Sequence, residues 1–223
     1  MAEIKKILIA NRGEIVQRAI RTIREMGKKS VVVYSAGDKN ASYLKHADEA
    51  VCIGGAKSSE SYLNIPAIIT AAEMTGCDAI FPGYGFLSEN QDFVEICQLH
   101  NIKFIGPSVE VMEKMADKSK AKDEMIKAGV PVVPGSKGAV HSVEEGRRVA
   151  LEIGYPIMAK ASAGGGGRGM RLIENEDKFD QLFTAASSEA LAAFGDGTMY
   201  LERFINNPRH IEVQVVGDSH GNA

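Results

Sequence analysis

The sequence predicts an α/β chain. An open, mostly parallel sheet with helices on both faces is expected over roughly residues 1–110, with a smaller α+β part after it. Short apolar runs and helical stripes alternate in the order β-α-β-β-α-β-α-β through the first half. Pro131 and Pro134 then break the chain after a lysine-rich segment. Beyond them, two strand-like runs flank a short glycine loop, the pattern of an antiparallel hairpin.

Each element has its own local signal. Lys6–Ala10 (KILIA) is a short apolar run ended by Asn-Arg-Gly, hence a buried strand. Ile15, Ala19, Ile20, Ile23 and Met26 form a helical stripe that stops at Gly27. Ser30–Ser35 and Ala50–Ile53 are strands two and three. Asn64 caps a helix that has Pro66 in its first turn and runs to about Thr75. Asp78–Pro82 is the fourth strand, Ser88 is read as the cap of a helix reaching about His100, and Lys103–Ile105 is the fifth strand. Lys114–Gly129 reads as helical. Ser142-x-x-Glu145 is a capping box for a helix ending near Ile153. Tyr155–Lys160 and Met170–Ile173 are strands, Glu176–Phe194 a long helix, and Met199–Phe204 and His210–Val216 two more strands. Gly217–Ala223 reads as the turn of a hairpin without its return strand, which suggests a piece of a longer protein.

Composition narrows the function classes. The 223 residues are 44% hydrophobic and 25% charged, as in ordinary water-soluble domains. A net charge of -3 and the lack of a long Lys/Arg stripe argue against a nucleic-acid partner. No apolar run approaches the roughly 18 residues of a membrane span. The three cysteines are scattered, as expected of reduced thiols in a cytoplasmic protein.

The stretch KASAGGGGRGM (160–170) carries the sharpest chemistry. Five of the six residues 164–169 are glycine. Glycines let successive N–H groups converge on an anion, and Lys160 and Arg168 bring positive charge to the same place. The lysine precedes the glycines, unlike a P-loop. A ligand-free turn remains the alternative on pattern alone; strands on both sides disfavour a linker. A phosphate lid that stays open until a ligand binds is the expectation. On 210–215, Ile211, Val213 and Val215 alternate with His210, Glu212 and Gln214, so one face is polar, either solvated or lining a cleft. Glu202 on the preceding strand is either a surface ion-pair partner or an acceptor for a ligand amine. Arg12 and Glu14 follow strand one, at the end of a parallel sheet where ligands bind.

The motifs IANRGEI (9–15), YLNIPAII (62–69), PGYGFLSEN (82–90), FIGPS (104–108), DKSKAK (117–122), GVPVVPGS (129–136), KASAGGGGRGM (160–170) and NPRHIEVQV (207–215) occur in this order. Together they closely resemble the biotin carboxylase family, and the resemblance covers the whole chain. It implies a Rossmann-like N-terminal domain over 1–113, a helical linker over 114–130, and an ATP-grasp lid subdomain over 131–205. The start of the remaining ATP-grasp domain would lie at 206–223.

It also implies a reaction in which ATP and bicarbonate, by way of carboxyphosphate, carboxylate biotin on a carrier protein. Acetyl-CoA carboxylase is the leading setting, with pyruvate or propionyl-CoA carboxylase as alternatives. By resemblance, Lys118 and Lys160 contact nucleotide phosphates, and Gly166 and Gly167 form the centre of the lid. Glu202, Arg203, Phe204 and Ile205 lie at the adenine, His210 near the ribose and phosphates, and Tyr84 and Gly85 near biotin. Arg21 and Glu25 resemble dimer contacts; biotin carboxyl carrier protein and a carboxyltransferase are the implied partners. Ala163 and Arg203 depart from the pattern, standing where glycine and lysine are common. Family members run to about twice this length. The Mg²⁺ ligands and the catalytic base belong to the other half, so the isolated chain is expected to bind ATP weakly and not to turn over.

Overall fold

A computed structural model describes residues 3–116, 118–162 and 169–223, without the side chains of 116 and 118–120. The chain divides into two compact units, Met1–Ala121 and Lys122–Ala223.

The first unit contains β1 (Lys6–Ile9), α1 (Glu14–Glu25), β2 (Lys29–Tyr34), β3 (Glu49–Cys52), α2 (Ile65–Met74), β4 (Ala79–Phe81), α3 (Gln91–Leu99), β5 (Lys103–Phe104) and α4 (Val109–Ala116). The five strands form one sheet in the order β3-β2-β1-β4-β5, with every pairing parallel. Alternation along β1 shows why it is central. Leu8 and Ala10 enter one core with Val31, Val33, Ile68, Ile80, Phe93 and Phe104, under α2 and α3. Ile7 and Ile9 enter another with Val16, Ile20, Ile23 and Val32, under α1. Both faces are covered, and the strands are accordingly almost continuously apolar.

One expectation needs correction here. The cap of α3 is Asn90, whose side chain accepts from the Phe93 N–H at 2.8 Å, and not Ser88. Ser88 lies inside a turn, its N–H bonded to the Gly85 carbonyl at 2.9 Å, so the helix starts two residues later. The described residues of the lysine-rich segment are helical as expected, in α4 and α5 (Lys118–Lys127); α4 begins before Lys114, at Val109, where the Ser108 hydroxyl accepts from the Val111 N–H at 3.4 Å.

The second unit holds α6 (Val143–Ile153), β6 (Ile157–Ala161), β7 (Met170–Ile173), α7 (Phe179–Phe194) and β8 (Met199–Arg203). Its sheet is antiparallel in the order β7-β6-β8. Ser142 caps α6 by accepting from the Glu145 N–H at 3.2 Å, while the Glu145 carboxylate reaches the His141 N–H at 3.0 Å. One face of the sheet, Ile157, Ala159, Ile173, Met199 and Leu201, packs on Ala150, Phe179, Phe183, Ala186 and Ala190 of α6 and α7. At the start of β7, Gly169 has φ +66°, and an added Cβ would stand 2.9 Å from the Ala161 Cβ. Only glycine fits that closure of the hairpin.

The strand expected at His210–Val216 does not form. No strand among the described residues runs beside this segment, so its backbone has no ladder to join. Ile211, Val213 and Val215 are 77%, 79% and 71% exposed. The turn after it is present: the Asp218 carboxylate accepts from the N–H groups of His220 and Asn222 at 2.8 and 2.9 Å.

Candidate nucleotide site

In an open parallel sheet, ligands bind beyond the carboxyl ends of the strands where the strand order reverses. That point lies between β1 and β4. Asn11, just past β1 and only 3% exposed, joins the two loops there. Its amide donates to the Pro82 and Tyr84 carbonyls at 2.7 and 2.8 Å, and its Oδ1 accepts from the Arg12 N–H at 2.8 Å. Gly83, at φ +65°, permits this: an added Cβ would fall 2.9 Å from the Asn11 amide nitrogen. Tyr84 is held 61% exposed on this pinned loop, with Gly85 after it. The Tyr84 hydroxyl donates to Glu14 at 2.8 Å, and that carboxylate raises it above the usual phenol range.

In the second unit the β7-β6-β8 sheet has one face packed and one face open. Met158 and Lys160 of β6, Met170 and Leu172 of β7, and Tyr200 and Glu202 of β8 alternate with the packed residues and none is buried. Lys160 is register partner of Tyr200 and diagonal neighbour of Glu202, and its ammonium forms a close ion pair with the Glu202 carboxylate. Lys122 approaches the same face, its Nζ hydrogen bonded to the Tyr200 hydroxyl and 5.1 Å from the ring centroid. The result is a half-exposed patch with two cations, one carboxylate and a phenol. The Lys160 side chain is 32% exposed and that of Glu202 25%. A pair this accessible stabilises the fold by at most about 1 kcal/mol. An anionic ligand can therefore draw Lys160 away at small cost.

The residues singled out in the sequence fall unevenly. Lys160 and Glu202 meet. The Arg203 N–H is taken by the Pro134 carbonyl at 2.8 Å and the Phe204 N–H by Pro156 at 2.9 Å, while Ile205 is 50% exposed. His210 is not brought to the sheet face; it is exposed beside Glu212, at 3.6 Å. Lys118 lies in α5, and its side chain is outside the described residues, as are Gly166 and Gly167. The sequence reading missed the buried Asn11 and the Lys122–Tyr200 pair. Tyr200 carried a signal, since it shares the strand phase of Glu202.

Residues 3–112 match the family described as biotin carboxylase, N-terminal domain, and residues 117–223 that described as carbamoyl-phosphate synthase L chain, ATP binding domain. A biotin carboxylase from Nostoc sp. (strain PCC 7120 / SAG 25.82 / UTEX 2576) is 57% identical over 97% of this chain and 48% of its own length. The crystal structure of a biotin carboxylase–βγ-ATP complex from Campylobacter jejuni is similar at a TM-score of 0.85. It is 68% identical, covering 99% of this chain and 49% of that one. The biotin carboxylase domain dimer of Hydrogenobacter thermophilus 2-oxoglutarate carboxylase, solved with MgADP, ADP and bicarbonate, gives a TM-score of 0.76. Its identity is 47%, over 93% of this chain and 46% of that one. The chain spans about half the length of the curated relatives it matches. With two family domains in succession and an ion-paired lysine feeding a glycine run, the chain belongs to the biotin carboxylase family, of which it carries the N-terminal domain and a stretch of the ATP-binding domain.

Proposed function

We propose that this chain supplies the nucleotide-lid part of an enzyme that carboxylates biotin on a carrier protein, using ATP and bicarbonate. The observation that carries the reading is the open face of β6 and β8. There Lys160, at the mouth of the glycine run, is held among the described residues by the partly exposed Glu202. Those residues fit a polyphosphate, because a diffuse multivalent anion competes well for an ammonium whose partner is partly solvated. ATP supplies the phosphoryl group that activates bicarbonate, and Mg²⁺ neutralises charge between its phosphates. Lys160 would hold phosphate oxygens, Glu202 would reset the lysine when they leave, and segment 203–205 would border the base. Gly166, Gly167, Lys118 and His210 are assigned to the same nucleotide.

Tyr84 and Gly85, on the loop pinned by Asn11, are assigned to the neighbourhood of biotin. Arg21 and Glu25, both exposed on α1, are assigned to a homodimer contact. A biotin carboxyl carrier protein and a carboxyltransferase are the partners, acetyl-CoA carboxylase the setting and the cytoplasm the place. No helix among the described residues is long and apolar enough to cross a membrane. Service in an oxo-acid carboxylase is a second reading, favoured by the likeness to the 2-oxoglutarate carboxylase domain. Biotin- and bicarbonate-dependent release of phosphate from ATP, measured on the protein that carries this chain, tests the proposal. The expected result is a rate that needs both substrates and falls at least about tenfold in Lys160→Ala; a rate indifferent to biotin contradicts it.

A further inference from the structure

A separate cleft lies at the N-terminus of α1, on the β2 side of β1. Its volume is about 650 Å³, and Arg12, Glu14, Gln17, Asp38, Ser42 and Tyr43 are among its walls. Cavities of about 300–1,000 Å³ are the usual size for small-molecule sites.

Three features give the cleft a chemical sign. First, α1 starts here at Gly13 with no side-chain cap, so the positive end of a twelve-residue helix faces the cleft. Second, Tyr43 is 6% exposed, and its hydroxyl is buried without a hydrogen-bond partner among the described residues, although Tyr62 and the Gly13 backbone are its neighbours. Burial raises this phenol above its usual range, so it stays a donor through neutral pH. An unpaired buried hydroxyl destabilises the fold, and a ligand acceptor would remove that cost. Third, the acids nearby are already engaged. The Asp38 carboxylate accepts from Ser35 and Tyr62 at 2.8 and 2.7 Å and meets Arg12 at 3.5 Å. Burial pushes it upward, but these hydrogen bonds outweigh burial and keep it below the usual carboxylate range. Glu14 accepts from Tyr84 at 2.8 Å and lies 4.0 Å from Arg18. The donors here are the tyrosine hydroxyl, the helix N–H groups, the Ser42 hydroxyl and the guanidinium of Arg12, which meets Asp38 at 3.5 Å and has a 49% exposed side chain.

From this geometry we infer that the cleft binds a small molecule through an oxyanion head, a phosphate or a carboxylate, seated on the start of α1 between Tyr43 and Arg12. The volume exceeds that of a bare oxyanion, so the ligand has an organic body that runs along Gln17 and Ser42. The site is independent of the nucleotide face assigned above and does not rest on that reading.

The test is a titration of the ¹⁵N-labelled chain with inorganic phosphate and, separately, with glutarate, against sodium chloride of equal ionic strength. Amide shifts at Gly13, Glu14 and Ile15 are expected to saturate with one of them. Saturation by phosphate identifies the phosphate class, and saturation by glutarate alone the carboxylate class. Tyr43→Phe removes only the unpaired hydroxyl, so it is expected to keep the fold while binding about tenfold more weakly. Arg12→Gln provides a second variant should Tyr43→Phe fail to fold. Shifts that follow chloride for both probes, or equal affinity in every folded variant, overturn the inference.

Discussion

The two sheets of this chain solve the same burial problem in opposite ways. The five-stranded sheet of the first unit is covered on both faces, so its own faces are unavailable and its candidate site groups sit on loops past the strand ends. The three-stranded sheet of the second unit is covered on one face, and the other carries Lys160, Tyr200 and Glu202 directly on strands. Loop groups need an anchor, and Asn11 provides it. Strand groups need only the period of the strand. Chemistry here follows from what each sheet leaves uncovered.

The largest expected effect probes the packed faces. Phe179, fully buried and stacked on Phe183 at 5.3 Å between centroids, should cost about 3–5 kcal/mol when changed to Ala, measured by urea unfolding. Leu172→Ala on the open face of the same sheet, 37% exposed, should cost less than about 1 kcal/mol. Equal losses would erase the distinction between the faces.

Asn11→Ala comes next. It strips two buried or part-buried carbonyls of their donor and should cost about 2–3 kcal/mol. Hydrogen exchange should rise around Tyr84 while β6 and β8 stay unchanged; an unchanged loop would show that Asn11 is not its anchor.

The smallest effect is electrostatic. The Lys29 ammonium, with the Ser30 N–H and hydroxyl, lowers the Asp48 carboxyl from 3.8 to about 2. Because the folded value is depressed, its stabilisation is fully present above about pH 4 and is lost as pH falls toward 2. The side chain is 35% exposed, so screening holds the contribution to about 1 kcal/mol or less. Asp48→Asn should flatten stability across that window, and an unaltered acid profile would show that the pair contributes nothing.

Local signals made most of the fold legible. All eight strands among the described residues were marked by short apolar or alternating runs, and Asn64 and Ser142 were identified as caps from their spacing alone. The misreadings have non-local causes. Ser88 has a capping side chain, but the turn through Phe86, at φ +43°, carries the chain on to Asn90. The alternation at 210–215 is as clean as that of β8, yet a strand exists only where another strand accepts its hydrogen bonds. Of the candidate site, Lys160 and Glu202 stood out as residue types, while their pairing depends on the β6–β8 register. Asn11 gave no sign of its role, because its partners lie 71 and 73 residues away.

The most direct measurement is an ATP titration of the 223-residue chain, read by amide shifts in wild type and Lys160→Ala. A Lys160–phosphate contact predicts weak, saturable shifts centred on Lys160, Tyr200 and Glu202, and at least about tenfold weaker binding once the ammonium is gone. Shifts that persist at the same concentrations in Lys160→Ala, or that centre on the packed face of the sheet, would contradict it.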